Sequence, residues 1–405
     1  MNPPGPLAGV RILDMTQVVM GPYATQMMGD LGADVIKIEP PSGDTTRKIT
    51  PMRHAGMGYM FLNLNRNKRS LVLDLKQPAA LEAFFDLAKA ADVLICNVRP
   101  KAMARLGITY DKLARANPKI ISVSLVGFAQ NGPYAAFPVY EDLIQGLTAI
   151  PTMLVDTGSE QPIYVPYAFN DRTVGLHAAI AVLSTLLWRE RSGKGQEIEI
   201  PMFETMAQGI LGEHLGGLTF EPPLGPPGYR RALSRQRRPY ATRDGFVCVI
   251  IYTDKHWRAF LELIGQPRLM QEDERLRDIG TRTQHSDTLY RIIADVMPSR
   301  TTAEWLDVLR RGDIPVAPLH TIETLVADAH LAATRFLRTV EHPTEGTLRQ
   351  PGVIGRWSAT PPAVTRHAPR LGEHSVEVLR EAGVSTDRVA QLLAAGAAVQ
   401  SRHEH

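Results

Sequence analysis

The sequence predicts an α/β protein whose main part is a Rossmann-like, doubly wound and mainly parallel sheet. Two observations carry that expectation: short β-branched runs alternate with helical patterns from residue 10 to about residue 128, and Pro and Gly stand where those helices would begin and end. A third is length, because 405 residues exceed one ordinary core and point to about two or three domains. With 44% apolar and 21% charged residues, the chain has neither the bias of a disordered segment nor that of a disulfide scaffold.

In order, VRILDM (Val10 to Met15) reads as a buried strand, GPYATQMMGDLG (Gly21 to Gly32) as a helix, and ADVIKIE (Ala33 to Glu39) as the next strand, which together form a βαβ unit. The alternation continues through RSLVLDL (Arg69 to Leu75), a helix from near Pro78, ADVLICNV (Ala91 to Val98), a helical stretch to about Ala116, and KIISVSLVGF (Lys119 to Phe128). A stretch rich in Gly, Pro and Thr near 150 to 166 reads as a loop. A helix then starts at Asn170 or Asp171 with the apolar stripe Val174, Ala178, Val182 and Leu186, and ends at the basic, Gly-rich RERSGKG. The strand EIEI (Glu197 to Ile200) and a helix from about Met202 follow.

Residues 1–220 and 331–405 are assigned to the large domain, 221–239 to a linker or mobile loop, and 240–330 to a smaller α/β domain. The linker is marked by composition: five prolines, two glycines and five arginines lie between Glu221 and Pro239. The small domain carries the strand GFVCVII, helices around Trp257 and Trp305, and a return through PVAPLH; FLRTVEH is strand-like, and a helix is expected from Glu373.

A formal net charge of +3 gives no general footprint for nucleic acid or membrane, so any anion site is local. Cys96 and Cys248 each sit in an apolar run, which favours buried reduced thiols and a reducing, cytoplasmic setting. No run of 18 apolar residues and no export signal is found, and the HEH at the end reads as a frayed tail. The sequence also lacks GxGxxG, GxxxxGK[ST], GxSxG, HExxH and CxxC, which disfavours dinucleotide binding, phosphate-loop chemistry, serine hydrolysis and zinc sites. No metal site is expected.

Composition and periodicity lead no further than an α/β enzyme of unspecified reaction. The opening block GVRILDMTQVVMGPYATQMMGDLGADVIKIEPPSGD, however, resembles the signature of the class III CoA-transferases, the family of formyl-CoA transferase, carnitine CoA-transferase and α-methylacyl-CoA racemase. The likeness continues in NRNKRSLVLDLK, ADVLICNVRPKAMARLGITYDKL, GFAQNGPY, VYEDLIQG, NDRTVGLHAA, RSGKGQEIEIPMFE and LGEHSVEVL, in the family's order over nearly the whole chain. The resemblance implies a large domain built from both chain ends, an inserted small domain, and an interlocked homodimer. It also implies transfer of CoA from an acyl-CoA to a carboxylic acid, with coenzyme A as substrate and no prosthetic group.

Within the resemblance, Asp171 is the attacking carboxylate, with Gly175, Ala178 and Ala179 completing its motif. A carboxylate suits the task because its reference pKa of about 4 leaves it ionised at neutral pH. Asp171 is equally a good helix N-cap, and the two roles are compatible. Tyr140 and Glu141 are expected at the substrate, although a plain helix start is their alternative reading. The racemase branch has a histidine where VYED has Glu141, so a transferase is favoured over a racemase, and a binder of CoA esters without turnover ranks last.

The resemblance places Val18, Leu73, Lys76, Asn97, Val98, Arg105 and Met202 against CoA, with Lys76 and Arg105 facing phosphate. Solvated charge for the basic residues and plain core for the aliphatic ones are the competing readings. The chain departs from formyl-CoA transferase at Val19, Pro40 and Pro138, where that enzyme has glutamine, arginine and lysine, and it lacks the glycine-rich lid; formyl or oxalate chemistry is therefore disfavoured. For the five arginines of 221–239, a solvated loop is preferred over an anion site.

Overall fold

The computed structural model describes residues 5–401, so the HEH tail lies outside the described residues. Seven strands form the main sheet. Six of them run parallel: β1 (Arg11–Met15), β2 (Asp34–Glu39), β3 (Lys68–Leu73), β4 (Val93–Cys96), β5 (Ile121–Val126) and β6 (Glu197–Pro201), in the order β3-β2-β1-β4-β5-β6. The terminal strand Ala398–Val399 adds antiparallel to β3.

Strand alternation explains why helices cover both faces. Leu13, Ile36, Leu71 and Leu94 face a core completed by Phe84, Leu87, Val378 and Leu392, whereas Ile12, Val35, Val93 and Val123 face the opposite core. The second core joins helix α1 (Met20–Asp30) to the long helix Phe169–Ser192. Gly175 lets these two helices approach, since a Cβ there would lie 2.7 Å from the Met20 carbonyl oxygen.

The chain forms two compact units: Met1–Ile144, Pro166–Ala207 and His330–His405 make one, and Gln145–Val165 with Gln208–Ala329 make the other. Residues 145–165 and 208–220, expected in the large domain, thus fall in the second unit. That unit carries a three-stranded antiparallel sheet (Tyr240–Ala241, Phe246–Val249, Val316–Pro318) and a core around Trp257, Phe260 and Trp305.

The expected loop at 150 to 166 contains a helix, Ile150–Asp156, whose Pro151 occupies the first turn, where its missing N–H costs nothing. FLRTVEH does form a strand, Leu337–His342, but it pairs with Gly346–Pro351 in a separate hairpin. Nor is segment 221–239 wholly solvated. Ser234 is buried and donates to Asp287 at 2.6 Å, and Arg231 donates to the Tyr290 hydroxyl at 2.8 Å. Both cysteines are free thiols; burial pushes Cys96 up to about 11, while Cys248 is only partly buried.

Candidate active site

In an open parallel sheet, ligands bind beyond the carboxyl ends of the strands where the strand order reverses. Here the reversal falls between β1 and β4, and a cavity of about 460 Å³ opens there. Its wall includes Gln17 and Val18 from the turn after β1, Asn97 after β4, and Glu141, Asp171 and Met202.

The turn after β1 is held on nearly every backbone group. Asp14 accepts from Thr16 N at 2.9 Å, and Lys37 Nζ donates to Thr16 O at 2.8 Å. The Asn97 carboxamide accepts from Gln17 N at 3.0 Å and donates to Gln17 O at 2.9 Å, while Asp44 accepts from Val18 N at 3.3 Å. Val18 is thereby kept at φ 69°, a left-handed conformation that a β-branched residue adopts only under constraint.

Beneath the turn lies a closed set of paired charges. Lys68 meets Asp14 at 3.0 Å, Lys37 meets Asp44 at 2.9 Å and Arg47 meets Glu39 at 2.7 Å, with all six side chains at most 2% exposed. Burial alone would raise Asp14, but Lys68, Lys37 and the hydroxyls of Thr16 and Thr25 outweigh it and hold its pKa at about 2.

Asp171 sits in the opposite kind of surroundings. The long helix starts at Phe169 with Ala168 as its cap residue, so Asp171 lies inside the first turn rather than at the N-cap. The orphan N–H groups are met by Glu141, whose carboxylate accepts from Asp171 N at 2.9 Å and from Asn170 N at 3.4 Å. In return, the fully buried Asn170 donates its side-chain amide to the Glu141 carbonyl at 3.2 Å.

Burial, then the charge of Glu141, raise the Asp171 carboxyl to about 7 against the weaker pull of Arg172. The expectation that this carboxylate is ionised without assistance therefore fails. The helix terminus that would favour its charge is already occupied by a second carboxylate.

The remaining candidates divide. Tyr140 lines the Asp171 cavity while standing 73% exposed. Lys76 and Arg105 line a separate cavity of about 590 Å³, and a third, of about 470 Å³ and lined by Arg99, Lys101 and Arg105, shares residues with both. Leu73 is 1% exposed inside the core and Val98 packs against that same core, so neither is brought to these cavities. Sequence reasoning misses Gln17, Arg99 and Asn170. Their signal is adjacency alone, since each stands within two residues of a position that the resemblance marks.

The model of CoA-transferase family III matches residues 7–375. The succinate–glutarate CoA-transferase of Agrobacterium fabrum is 31% identical over 392 residues, which cover 93% of this chain and 95% of that protein. A formyl-CoA:oxalate CoA-transferase of Streptomyces avermitilis is 32% identical, with coverage of 92% and 94%. The crystal structure of Rv3272 from Mycobacterium tuberculosis superposes with a TM-score of 0.79 at 29% identity, covering 93% of this chain and 99% of that one.

This chain belongs to CoA-transferase family III. It is a CoA-transferase with a parallel-dominated α/β fold, and coenzyme A enters its reaction as a thioester substrate. Among the described residues, no helix is long and apolar enough to cross a membrane.

Proposed function

We propose that the enzyme moves coenzyme A from an acyl-CoA to a free carboxylic acid through covalent intermediates on Asp171. The observation that carries this reading is the opening of Asp171 and Glu141 onto the switch-point cavity, which shares lining residues with the basic cavity of Arg99, Lys101 and Arg105, which in turn shares Ala102 and Arg105 with the cavity of Lys76. Such a succession suits a ligand with a reactive thioester at one end and phosphates at the other.

In the first step the Asp171 carboxylate attacks the thioester carbonyl carbon; a C–O bond forms, the C–S bond breaks, and CoA leaves as a thiolate. The thiolate then attacks the Asp171 carbonyl of the mixed anhydride, releasing the donor acid and leaving an aspartyl-CoA thioester. The acceptor carboxylate runs both steps in reverse and departs as the new acyl-CoA. Acylation removes the negative charge from Asp171, so the burial and repulsion that raise its pKa are relieved as the bond forms.

Val18, Asn97, Met202, Lys76 and Arg105 are placed along the CoA in this reading, with Tyr140 and Glu141 at the acyl end. The similarity to a succinate–glutarate enzyme makes succinyl-CoA with glutarate the first pair to test. The reading also includes an interlocked homodimer, a large domain built from both chain ends, and a cytoplasmic setting.

The test is incubation with succinyl-CoA and other acyl-CoAs, followed by hydroxylamine trapping and peptide mass spectrometry. Label on Asp171, lost together with exchange in Asp171→Ala, is the expected result; exchange at wild-type rate in that variant would sink the assignment. A carboxyl with a pKa of about 7 beside a second carboxylate also suits proton transfer, so racemisation at the α-carbon is the second reading. It predicts solvent deuterium at the α-carbon of a 2-methylacyl-CoA with no acid acceptor present.

A further inference from the structure

The tetrahedral intermediate of thioester attack carries a negative charge on the former carbonyl oxygen, and a buried site needs a donor aimed there. Of the three side-chain amides on the wall of the cavity beside Asp171, two are already spent. Both ends of the Asn97 carboxamide are taken by the Gln17 backbone, and Gln130 Nε2 donates to the Phe128 carbonyl at 2.8 Å. Glu141 offers only acceptors, and its carboxylate already serves the long helix. Arg99 lines the part of the wall shared with the next basic cavity.

Gln17 is different. It is partly buried, it lines the Asp171 cavity, and its side-chain carboxamide makes no hydrogen bond among the described residues. Its backbone, in contrast, is fixed on both sides: Asn97 holds its N–H and carbonyl, Asp14 and Lys37 hold Thr16, and Asp44 holds Val18 in its left-handed turn. A free donor on an immobilised backbone is what preorganised charge stabilisation requires.

We propose that Gln17 is a catalytic residue whose Nε2–H donates to the thioester carbonyl oxygen as Asp171 attacks, and that Asn97 is a positioning residue that aims it. The proposal rests on the reading of Asp171 as nucleophile. It reassigns Asn97 from nucleotide contact to support of the turn.

The test measures the rate constant of Asp171 acylation at saturating donor, using whichever of succinyl-, acetyl- and 2-methylpropionyl-CoA labels the wild type fastest, together with the dissociation constant of free CoA by calorimetry. Gln17→Met keeps the side-chain volume and removes the donor without adding charge; acylation falls about 100-fold while CoA affinity stays within about twofold. Gln17→His restores a donor and recovers at least about tenfold of that loss. Asn97→Ala slows acylation about tenfold, again with CoA affinity held.

Unchanged acylation in Gln17→Met overturns the catalytic assignment, and weakened CoA binding with normal acylation in Asn97→Ala returns that residue to the nucleotide. Should no donor label wild-type Asp171, the nucleophile reading falls and takes this proposal with it. That outcome is separable from a labelled wild type with an undiminished Gln17→Met. Folding does not confound the Gln17 variants, because the replaced side chain holds no protein group.

Discussion

Asp14 and Asp171 are both aspartates withdrawn from water near the same cavity, yet their carboxyls are driven in opposite directions, to about 2 and about 7. In both, burial is the largest influence and acts upward. What differs is the company: Asp14 meets Lys68 and two threonine hydroxyls directly, whereas Asp171 faces the carboxylate of Glu141. Burial raises the stakes, and the neighbouring charge decides the sign. The region beneath the β1 turn is satisfied and serves as a fixed base, while the start of the long helix is left electrostatically unsatisfied and holds reactivity.

The largest effect follows from breaking the satisfied region. Asp14→Ala leaves Lys68 and Lys37 buried with reduced compensation and is expected to lower stability by about 3–5 kcal/mol in urea unfolding at pH 7. The double variant Asp14→Ala with Lys68→Met removes the stranded charge together with its partner and recovers part of that loss. If Asp14→Ala unfolds like the wild type, the ion pairs are not what holds this region.

The fold and the site differ in how far the sequence reveals them. The parallel sheet is legible because alternation is local: Ile12 and Leu13 point to opposite cores, as a period of two requires. The helix Ile150–Asp156 is not, because Pro and Gly there suggest a loop although Pro151 stands where a helix tolerates it. Asp171 is legible only through the resemblance, since an acidic residue near a helix start is an ordinary cap. Its raised pKa is hidden entirely, because its burial and then the charge of Glu141, 30 residues away in sequence, come only with the fold. For the same reason, the pairing of Lys37 with Asp44 and of Lys68 with Asp14 is not legible until β1, β2 and β3 lie side by side.

A smaller effect of opposite sign is expected from the unsatisfied region. Because folding raises the Asp171 pKa, the folded state binds its proton more tightly; the stability this confers is full below about pH 4 and is lost as pH rises to about 7. Above that, an ionised Asp171 is a net penalty on folding. Asp171→Asn removes the penalty, so the variant should be more stable than the wild type by about 1–2 kcal/mol at pH 8, after discounting for partial exposure, and nearly equal at pH 4. Thermal melts at the two pH values measure this. A destabilised variant at pH 8 would mean that the carboxylate is better compensated than its surroundings indicate.

The smallest effect separates the two causes acting on Asp171. Glu141→Gln removes the negative charge and keeps one side-chain oxygen to accept from Asp171 N, giving up only the longer contact from Asn170 N at 3.4 Å. Acylation of Asp171 requires the ionised form and therefore rises with pH through about 7 in the wild type. In the variant the midpoint moves to lower pH by roughly one unit or less, about 1.4 kcal/mol, and stays well above the ordinary range for aspartate. It stays there because burial, the larger cause, is untouched. A midpoint that drops all the way to the usual carboxylate range would assign the whole displacement to Glu141 and make desolvation irrelevant. One that does not move would show that the two carboxylates do not sense each other, and the contrast with Asp14 would then reduce to the lysines alone.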